Sequence, residues 1–355
     1  THDLLPDELS NWHRIENTIH SIMEQYGYGE IKTPVFESTE LFVRGIGNDT
    51  DIVNKEMYSW TDQGGNALTL KPELTAPVVR AYLQHQLGNK NPIQRLWYFD
   101  SLFRRERPQK GRQRQFYQFG AEAIGSPHPE QDAEIIAMAY NIYKTFDIQE
   151  MNVRLNSIGS KEIRPIYLDK LRLSLMKETN ELCHSCQARL EKNALRVFDC
   201  KNTECQKLLD ENAPLIFDSI SEDDRKHFDT ACLMLDNMGI PYFHDKKLVR
   251  GLDYYSHTTF EITSSALGAQ DALCGGGRYN GLIEQLGGKP TPAVGFAAGV
   301  ERLILAIDKQ DSSVNSPDIY LISLGEEAAV TASRLASDLR NICGKTVLLE
   351  TLRRS

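Results

Sequence analysis

A short basic segment is the part of this sequence best suited to bind a polyanion. Residues 104–114 (RRERPQKGRQR) contain six basic residues and one Glu, a local charge of +5 in a chain whose net charge is −9. Most of the basic residues are arginines, and a guanidinium stays charged and holds phosphate oxygens through paired hydrogen bonds. A solvated surface loop is the alternative interpretation, but the residues that follow favour a binding site.

The next ten residues, QFYQFGAEAI, alternate like a strand that lines a pocket. Phe116, Gln118, Gly120 and Glu122 would share one face, because side chains on a strand repeat every two residues. That face offers an aromatic plate, an amide, a gap through which a ligand could approach the backbone, and a carboxylate. Together with the basic loop, this face predicts a ligand site.

A second cluster of candidate binding residues lies at 248–262 (LVRGLDYYSHTTFEI). Arg250 is followed there by Tyr254 and Tyr255. A cation beside paired phenols indicates a polar pocket for a small zwitterion. A buried tyrosine-rich strand is the alternative.

Two glycine-rich segments follow, at 275–279 (GGGRY) and 295–302 (GFAAGVER). Three successive glycines lack Cβ atoms, which lets the backbone pass close to a ligand, although a simple turn is the alternative. Arg302 would lie in the opening turn of a helix, where a cation does not offset the helix dipole. We therefore expect Arg302 to face an anion.

Four of the seven cysteines are spaced like metal ligands, as Cys183-x2-Cys186 and Cys200-x4-Cys205. Four thiolates with this spacing can hold a structural zinc ion. Small buried side chains are the alternative. The opening residues do not form a signal peptide, so we expect reduced thiols rather than a disulfide framework.

The composition predicts an ordinary globular protein of about two domains. The chain has 355 residues, of which 41% are hydrophobic and 25% charged, and this balance excludes disordered and fibrous classes. An acidic net charge argues against nonspecific nucleic-acid binding. The sequence contains no long apolar stretch and predicts a soluble, cytoplasmic protein without a membrane partner. The first residue is not Met, so we expect a processed or trimmed N-terminus.

The candidate residues require a sheet that can hold them. Residues 95–104 and 115–124 predict an antiparallel hairpin with the basic loop at its tip. Apolar residues at steps of three and four predict a long helix from residue 9 to 26. The next segment, 31–36, reads as a strand that Pro34 confines to a sheet edge. This helix and strand could pack on a second copy of the chain or on their own sheet.

The rest of the chain alternates between helical and strand-like segments. We expect a helix at 129–146, strands at 152–158, 253–263 and 270–274, a glycine run that opens into a helix at 279–286, and a strand-turn-helix at 293–307. Charged helical sequence at 160–235 predicts an insertion. From residue 317 the pattern predicts one βαβ unit, which is too small to bury both faces of its sheet.

Four of these segments also occur together, in this order, in one enzyme family. The stretches FRRERPQKGRQRQFYQFGAE, LVRGLDYY, GGGRY and GFAAGVER resemble the class II histidyl-tRNA synthetases, as do THDLLP and TDIVNKEMYSW. The resemblance implies an α+β fold: a class II antiparallel sheet flanked by helices, with a helical insertion and an incomplete C-terminal α/β domain. Its implied boundaries are a catalytic domain at 1–159 and 236–308, an insertion domain at 160–235, a linker at 309–316, and the truncated start of an anticodon-binding domain at 317–355.

The resemblance further implies a histidine–tRNA ligase that forms histidyl-adenylate from histidine and ATP, with Mg²⁺, and then charges tRNA(His). Arg104 and Arg250 would be the catalytic residues. The residues that would bind ATP are Arg104, Glu106, Arg112, Phe116 and Arg302. The residues that would bind histidine are Glu73, Thr75, Arg104, Gln118, Glu122, Arg250, Tyr254 and Tyr255.

The resemblance also implies a homodimer formed through the first helix and the strand with Pro34. The family as a whole does not need zinc, so the zinc expectation depends on the cysteine spacing alone. The chain departs from common family residues at Lys71, Leu74 and Gln113, none of which is a proposed ligand. A noncatalytic regulatory paralogue of these enzymes is the alternative. Such a paralogue has no need for the phosphate-binding arginines that this chain retains.

Overall fold

A computed structural model of the chain describes residues 2–47, 50–107, 111–268, 271–307 and 316–351. The helices are α1 (Pro6–Gln25), α2 (Thr39–Ile46), α3 (Thr75–Gln84), α4 (Leu87–Lys90), α5 (Pro129–Thr145), α6 (Ile163–Ser174), α7 (His184–Lys192), α8 (Thr203–Asn212), α9 (Glu222–Asn237), α10 (Leu282–Gln285), α11 (Val300–Ala306) and α12 (Glu326–Asn341). The strands are β1 (Gly29–Glu30), β2 (Phe36–Ser38), β3 (Ser59–Thr61), β4 (Ala67–Leu70), β5 (Gln94–Phe103), β6 (Gln115–Ile124), β7 (Met151–Ser157), β8 (Phe243–His244), β9 (Ser256–Ser264), β10 (Ala272–Arg278), β11 (Ala293–Gly299), β12 (Ile319–Leu321) and β13 (Val347–Leu349).

An eight-stranded sheet forms the centre of the larger part of the chain. Its strand order is β1-β5-β6-β11-β10-β9-β7-β8. Among the described residues of this sheet, the interior pairs are antiparallel, and the short edge strands β1 and β8 pair in parallel with their neighbours. The predicted hairpin of β5 and β6 is confirmed, with Phe103 opposite Gln115 next to the basic loop.

The two faces of this sheet have different neighbours. Helix α5 packs across β6, β9, β10 and β11, and α9 packs on α5. Along β6, Phe119 points to this helical side, where its ring lies 6.4 Å from that of Tyr143 on α5. By alternation, Phe116, Gln118 and Glu122 belong to the opposite face, which carries the candidate site.

The prediction of one strand over 31–36 is wrong. The chain forms β1 before this segment and begins β2 only at Phe36, the last predicted residue. Pro34 has no N–H to give to a ladder, although Ile31 still donates its N–H to Trp97 O at 2.8 Å. Strand β2 joins a separate three-stranded sheet in the order β2-β4-β3.

The prediction that the glycine run opens into a helix is also wrong. Gly275, Gly276 and Gly277 lie inside the central strand β10, and the helix that follows, α10, has only four residues. A Cβ on Gly276 would lie 2.3 Å from Gly295 O and 2.7 Å from the ring of Phe260. The glycines are therefore required by close packing across the sheet.

Residues 160–235 fold mainly as α6, α7, α8 and most of α9, as their charged helical pattern predicts. The chain divides into two compact units, one of residues 1–3 and 16–308 and the other of residues 4–15 and 309–355. The first unit contains residues 160–235 together with the central sheet, so the predicted insertion boundaries stay a prediction. In the second unit β12 and β13 pair in parallel on either side of α12, which confirms the βαβ order. Of the predicted linker, only Ser316 lies within the described residues.

Candidate active site

The open face of the central sheet carries a cavity of about 270 Å³. Its walls come from the hairpin β5–β6, from Arg250, from β10 and from the start of α11. They include every residue of the expected ATP-binding set, with Gln118 and Arg250 of the histidine-binding set. Candidate residues from four separate segments of the sequence therefore share one cavity.

The hairpin supplies an aromatic plate and two cations. The Arg104 guanidinium lies 5.2 Å from the centre of the Phe116 ring, and its Nε donates to Pro72 O at 2.8 Å. Glu106 lies between the two cations, 3.8 Å from Arg104 Nη1 and 3.2 Å from Arg112 Nη1. These contacts hold both guanidinium groups on the wall of the cavity. Residues 108–110 of the basic segment lie outside the described residues.

Arg250 lies in a space that exists only because residue 275 is glycine. A Cβ on Gly275 would lie 2.0 Å from Arg250 Nη2. Arg250 Nη1 is 3.5 Å from Glu261 Oε1, and the guanidinium carbon of Arg250 is 5.9 Å from the centre of the Tyr255 ring. The side chain is thus fixed between a carboxylate and an aromatic face on the wall of the cavity.

Arg302 also lies on the wall of this cavity. Arg302 lies in the first turn of α11 and its Nη1 donates to Ala272 O. Burial lowers the pKa of Arg302, and the positive charge of Arg112 lowers it further. Two cations that repel one another in a concave wall form a site for an anion.

Two buried carboxyl groups, those of Glu73 and Glu122, are not among the residues that line this cavity. Glu73 caps α3: its carboxylate accepts the N–H groups of Thr75 and Ala76, both at 2.9 Å. Burial raises the pKa of Glu73 to about 7, against the opposing effect of those N–H groups and of Arg104. Burial likewise raises the pKa of Glu122 to about 7.

Glu122 is surrounded by hydroxyl donors. Thr75 Oγ1 donates to it at 2.8 Å, Tyr98 Oη at 3.1 Å and Tyr279 Oη at 2.6 Å. The ring of Tyr254 lies 5.8 Å from that of Tyr279 and 4.7 Å from that of Tyr255. The structure therefore brings Glu73, Thr75, Glu122, Tyr254 and Tyr255 together as a buried polar cluster.

Sequence reasoning missed Tyr98 and Tyr279 in this cluster. Tyr279 ends the GGGRY segment, so its position in that motif could have indicated a role in the site. Tyr98 had no such signal, because its role depends on its register opposite Gly120. The expectation that Gly120 leaves a gap for a ligand is wrong: a Cβ there would lie 2.6 Å from Tyr98 Oη and 2.2 Å from Phe296 O. Because Gly120 has no side chain, the hydroxyl group of Tyr98 occupies this space.

The four spaced cysteines converge as the sequence predicts. Their Sγ atoms all lie within 4.8 Å of one another, and those of Cys183 and Cys200 are 3.8 Å apart. Backbone N–H groups point at two of the sulfurs, from Cys183 to Cys205 Sγ at 3.2 Å and from Asn202 to Cys200 Sγ at 3.5 Å. The N–H of Cys186 lowers the pKa of Cys183 to about 7. This is a cluster that could hold a metal ion.

The central sheet is antiparallel and combines three features: a hairpin with arginines, a glycine-bearing strand and a final strand followed by a helix. Together they define the catalytic fold of a class II aminoacyl-tRNA synthetase. The family model described as Histidyl-tRNA synthetase matches residues 1–303. The chain belongs to the histidyl-tRNA synthetase family.

Curated relatives and a solved structure agree with this assignment. A histidine–tRNA ligase from Halothermothrix orenii is 48% identical over 358 residues, covering 100% of this chain and 85% of the relative. One from Geobacillus thermodenitrificans is 46% identical over 346 residues, covering 96% of this chain and 81% of the relative. The structure of apo S. aureus histidyl-tRNA synthetase matches with a TM-score of 0.81 at 36% identity, covering 100% of this chain and 85% of that one. In the described part of the chain, no helix has both the length and the apolar character needed to cross a membrane.

Proposed function

We propose that the chain is a histidine–tRNA ligase that activates histidine with ATP and transfers it to the 3′ end of tRNA(His). The observation that carries this proposal is the convergence of Arg104, Arg112, Arg250 and Arg302 on one cavity beside an aromatic plate. A cavity with this cation density suits a nucleoside triphosphate. The buried carboxyl cluster next to it suits the amino and imidazole nitrogens of histidine.

In the activation step a carboxylate oxygen of histidine bonds to the α-phosphorus of ATP as the bond to the pyrophosphate oxygen breaks. Two anions must be brought together, so the barrier falls when fixed cations neutralise both and hold them in line. Arg104 and Arg250 would hold the α-phosphate, with Arg104 also on the carboxylate. Arg112 and Arg302 would bind the outer phosphates, where Mg²⁺ accompanies ATP as part of the substrate.

The remaining site residues would select the two ligands. Phe116 would stack on adenine, and Glu106 would accept its amino group. Glu73, Thr75 and Gln118 would receive the amino group of histidine. Glu122 and Tyr255, with Tyr254 beside them, would bind the imidazole. This assignment agrees with the pKa of about 7 for Glu73 and Glu122, because a bound cation or N–H donor would favour their ionised forms.

The test is exchange of labelled pyrophosphate into ATP, with each amino acid in turn. We expect exchange with histidine alone. Absence of exchange while histidine still binds by calorimetry would reject the ligase and favour the noncatalytic regulatory paralogue.

The cysteine cluster supports a second part of the proposal, a structural zinc ion held by Cys183, Cys186, Cys200 and Cys205. Four thiolates around zinc at about 2.3 Å place their sulfurs about 3.8 Å apart, and the Cys183–Cys200 pair already has this separation. The N–H groups that point at the sulfurs would stabilise thiolate charge. Elemental analysis of the purified chain should give one zinc per chain; a metal-free chain that does not take up added zinc would reject this part.

We also propose a cytoplasmic homodimer. Support comes from the class II resemblance and from exposed aromatic groups in the three-stranded sheet, where Phe36 and Trp60 are 50% and 40% exposed and 5.9 Å apart. Light scattering coupled to size exclusion should give twice the 40.2 kDa chain mass. A monomer at micromolar concentration would reject the dimer.

A further inference from the structure

The cysteine cluster encloses a short stretch of chain that reaches both sides of the active site. Residues 193–199, which we name the bridging segment, consist of Asn193 and a 3-10 helix, Ala194–Asp199. The segment begins seven residues after Cys186 and ends directly before Cys200. Because cysteines lie before and after it, the distance between its ends depends on how firmly the four sulfurs are held together.

One side of the bridging segment contacts the loop next to the basic hairpin. Arg196 Nη1 lies 2.8 Å from Asp51 Oδ2, and this side chain is 18% exposed. Asp51 leads directly into a π-helical turn, Ile52–Glu56. Glu56 O in turn accepts the N–H of Arg105 at 2.7 Å, directly beside Arg104. Two contacts, joined by the short chain from Asp51 to Glu56, therefore connect the segment to the neighbour of a proposed ATP-binding arginine.

The other side of the segment contacts the chain that carries Arg250 and the paired tyrosines. Asn193 Nδ2 donates to Asp253 Oδ1 at 2.6 Å. The backbone of Asp253 is fixed as well, since Arg164 Nη1 donates to its carbonyl at 2.8 Å. Asp253 comes three residues after Arg250 and directly before Tyr254. A shift of Asn193 would therefore be felt in the proposed histidine pocket.

A cavity also joins the two sites. Phe198, Asp199 and Cys200 form part of the wall of a cavity of about 540 Å³, and Arg250 and Arg302 form part of the same wall. One cavity thus borders both Cys200 of the cysteine cluster and two of the proposed phosphate-binding arginines.

We propose that a metal ion bound by the four cysteines controls substrate affinity by holding the bridging segment, which positions Asp51 and Asp253 on opposite sides of the active site. The proposal rests on the ligase and zinc assignments made above. Arg196 and Asn193 are positioning residues: they act through Asp51 and Asp253. With the metal removed, four thiols have only weak mutual contacts, and the two active-site segments lose a fixed support.

The experiment compares the zinc-loaded chain with the same chain after chelation, confirmed by elemental analysis. Calorimetry gives the dissociation constant for histidine, pyrophosphate exchange gives KM and kcat separately, and amide hydrogen exchange reports on residues 51–56 and 250–255. We expect chelation to weaken histidine binding about fivefold or more, in the range of typical coupling between sites. We also expect hydrogen exchange to increase in both segments.

A double variant, Asn193→Leu with Arg196→Met, tests the path while leaving the cysteines intact. Loaded with zinc, it should bind histidine as weakly as the chelated wild-type chain and should weaken no further on chelation. Lys192→Met, an exposed change at the end of α7, is the matched control and should respond to chelation like wild type.

The possible results distinguish a failure of the proposed coupling from a failure of the zinc or ligase assignment. Equal histidine affinity and equal hydrogen exchange with and without zinc would overturn the coupling, as would a double variant that still responds to chelation. A chain that binds no metal would overturn both the zinc assignment and the coupling. If histidine does not bind, the ligase assignment fails, and hydrogen exchange of the two segments then decides the coupling by itself.

Discussion

Arg250 is the residue whose surroundings are most specifically built for the proposed chemistry. Its half-buried guanidinium packs against Gly275, Glu261 and Tyr255, so its position is fixed before any ligand binds. A cation that is already oriented needs no reorganisation when charge develops on an α-phosphate. We therefore expect the fixed position of Arg250 to increase the rate at which histidine is activated.

We predict that Arg250→Met lowers histidine-dependent pyrophosphate exchange on the order of a hundredfold to a thousandfold, because it removes one preorganised cation. Methionine keeps much of the side-chain volume, so circular dichroism should show an intact fold. Steady-state exchange at saturating histidine and ATP is the measurement.

Arg154→Met is the matched control for this change. Arg154 Nη1 contacts Glu261 as Arg250 does, at 3.5 Å from Oε2, but Arg154 lies outside the walls of the 270 Å³ cavity. Its loss should reduce exchange by less than about tenfold, well below the effect of a lost transition-state cation. Equal losses in the two variants would mean that Glu261, rather than the Arg250 cation, is the group that matters.

At the level of the elements, β10 carries a requirement that its own sequence does not reveal. We predict that Gly275→Ala reduces pyrophosphate exchange nearly as much as Arg250→Met, because the new Cβ would lie 2.0 Å from Arg250 Nη2 and must displace it. Gly251→Ala adds the same methyl group next to Arg250, where no atom lies within 4 Å, and should retain activity. Wild-type exchange in Gly275→Ala would show that the guanidinium can move without loss.

The hairpin β5–β6 could be predicted from the sequence, whereas the packing of β10 could not. The hairpin β5–β6 follows from local alternation and a polar tip, so the sequence predicts it within one residue at each end. From the sequence, Gly275 is expected to let the backbone pass close to a ligand, with a simple turn as the alternative. Its real partner, Arg250, lies 25 positions earlier and meets it only through tertiary packing.

The candidate site divides in the same way. The cations and the aromatic plate belong to compact segments with a recognisable composition, and the structure brings them to one cavity. Tyr98 was not predicted, and Gly120 was given the wrong role, since each has meaning only through the register that places one opposite the other. The segment with Pro34 differs from its prediction for a related reason: a proline is compatible with an edge strand, but here the chain leaves the central sheet before Pro34 and joins another sheet at Phe36.

For the molecule as a whole, the buried carboxyl groups couple folding to pH. Burial raises the pKa of Glu73, Glu122 and Glu301 to about 7, from an ordinary value of 4.5. The folded chain therefore keeps protons that the unfolded chain releases above pH 4.5. Their contribution to stability is complete below about pH 4.5 and is lost as pH rises to about 7.

We predict that the free energy of unfolding of the ligand-free chain falls between pH 5 and pH 8, on the order of 1–3 kcal/mol for each fully buried group. In Glu122→Gln, whose amide does not titrate, the fall should be smaller by one such contribution. Urea denaturation at intervals of half a pH unit measures both profiles. Glu211→Gln, at an exposed position, should follow wild type.

Histidine should alter this profile in a direction that tests the site. A bound ammonium group near Glu73 favours the carboxylate, so saturating histidine should flatten the decline above pH 6 in the wild-type chain. The same addition should have less effect in Glu73→Gln, where no carboxylate can form.

Without histidine, parallel profiles for wild type and Glu122→Gln would mean that Glu122 is ionised throughout, and its hydroxyl donors would then outweigh burial in setting its pKa.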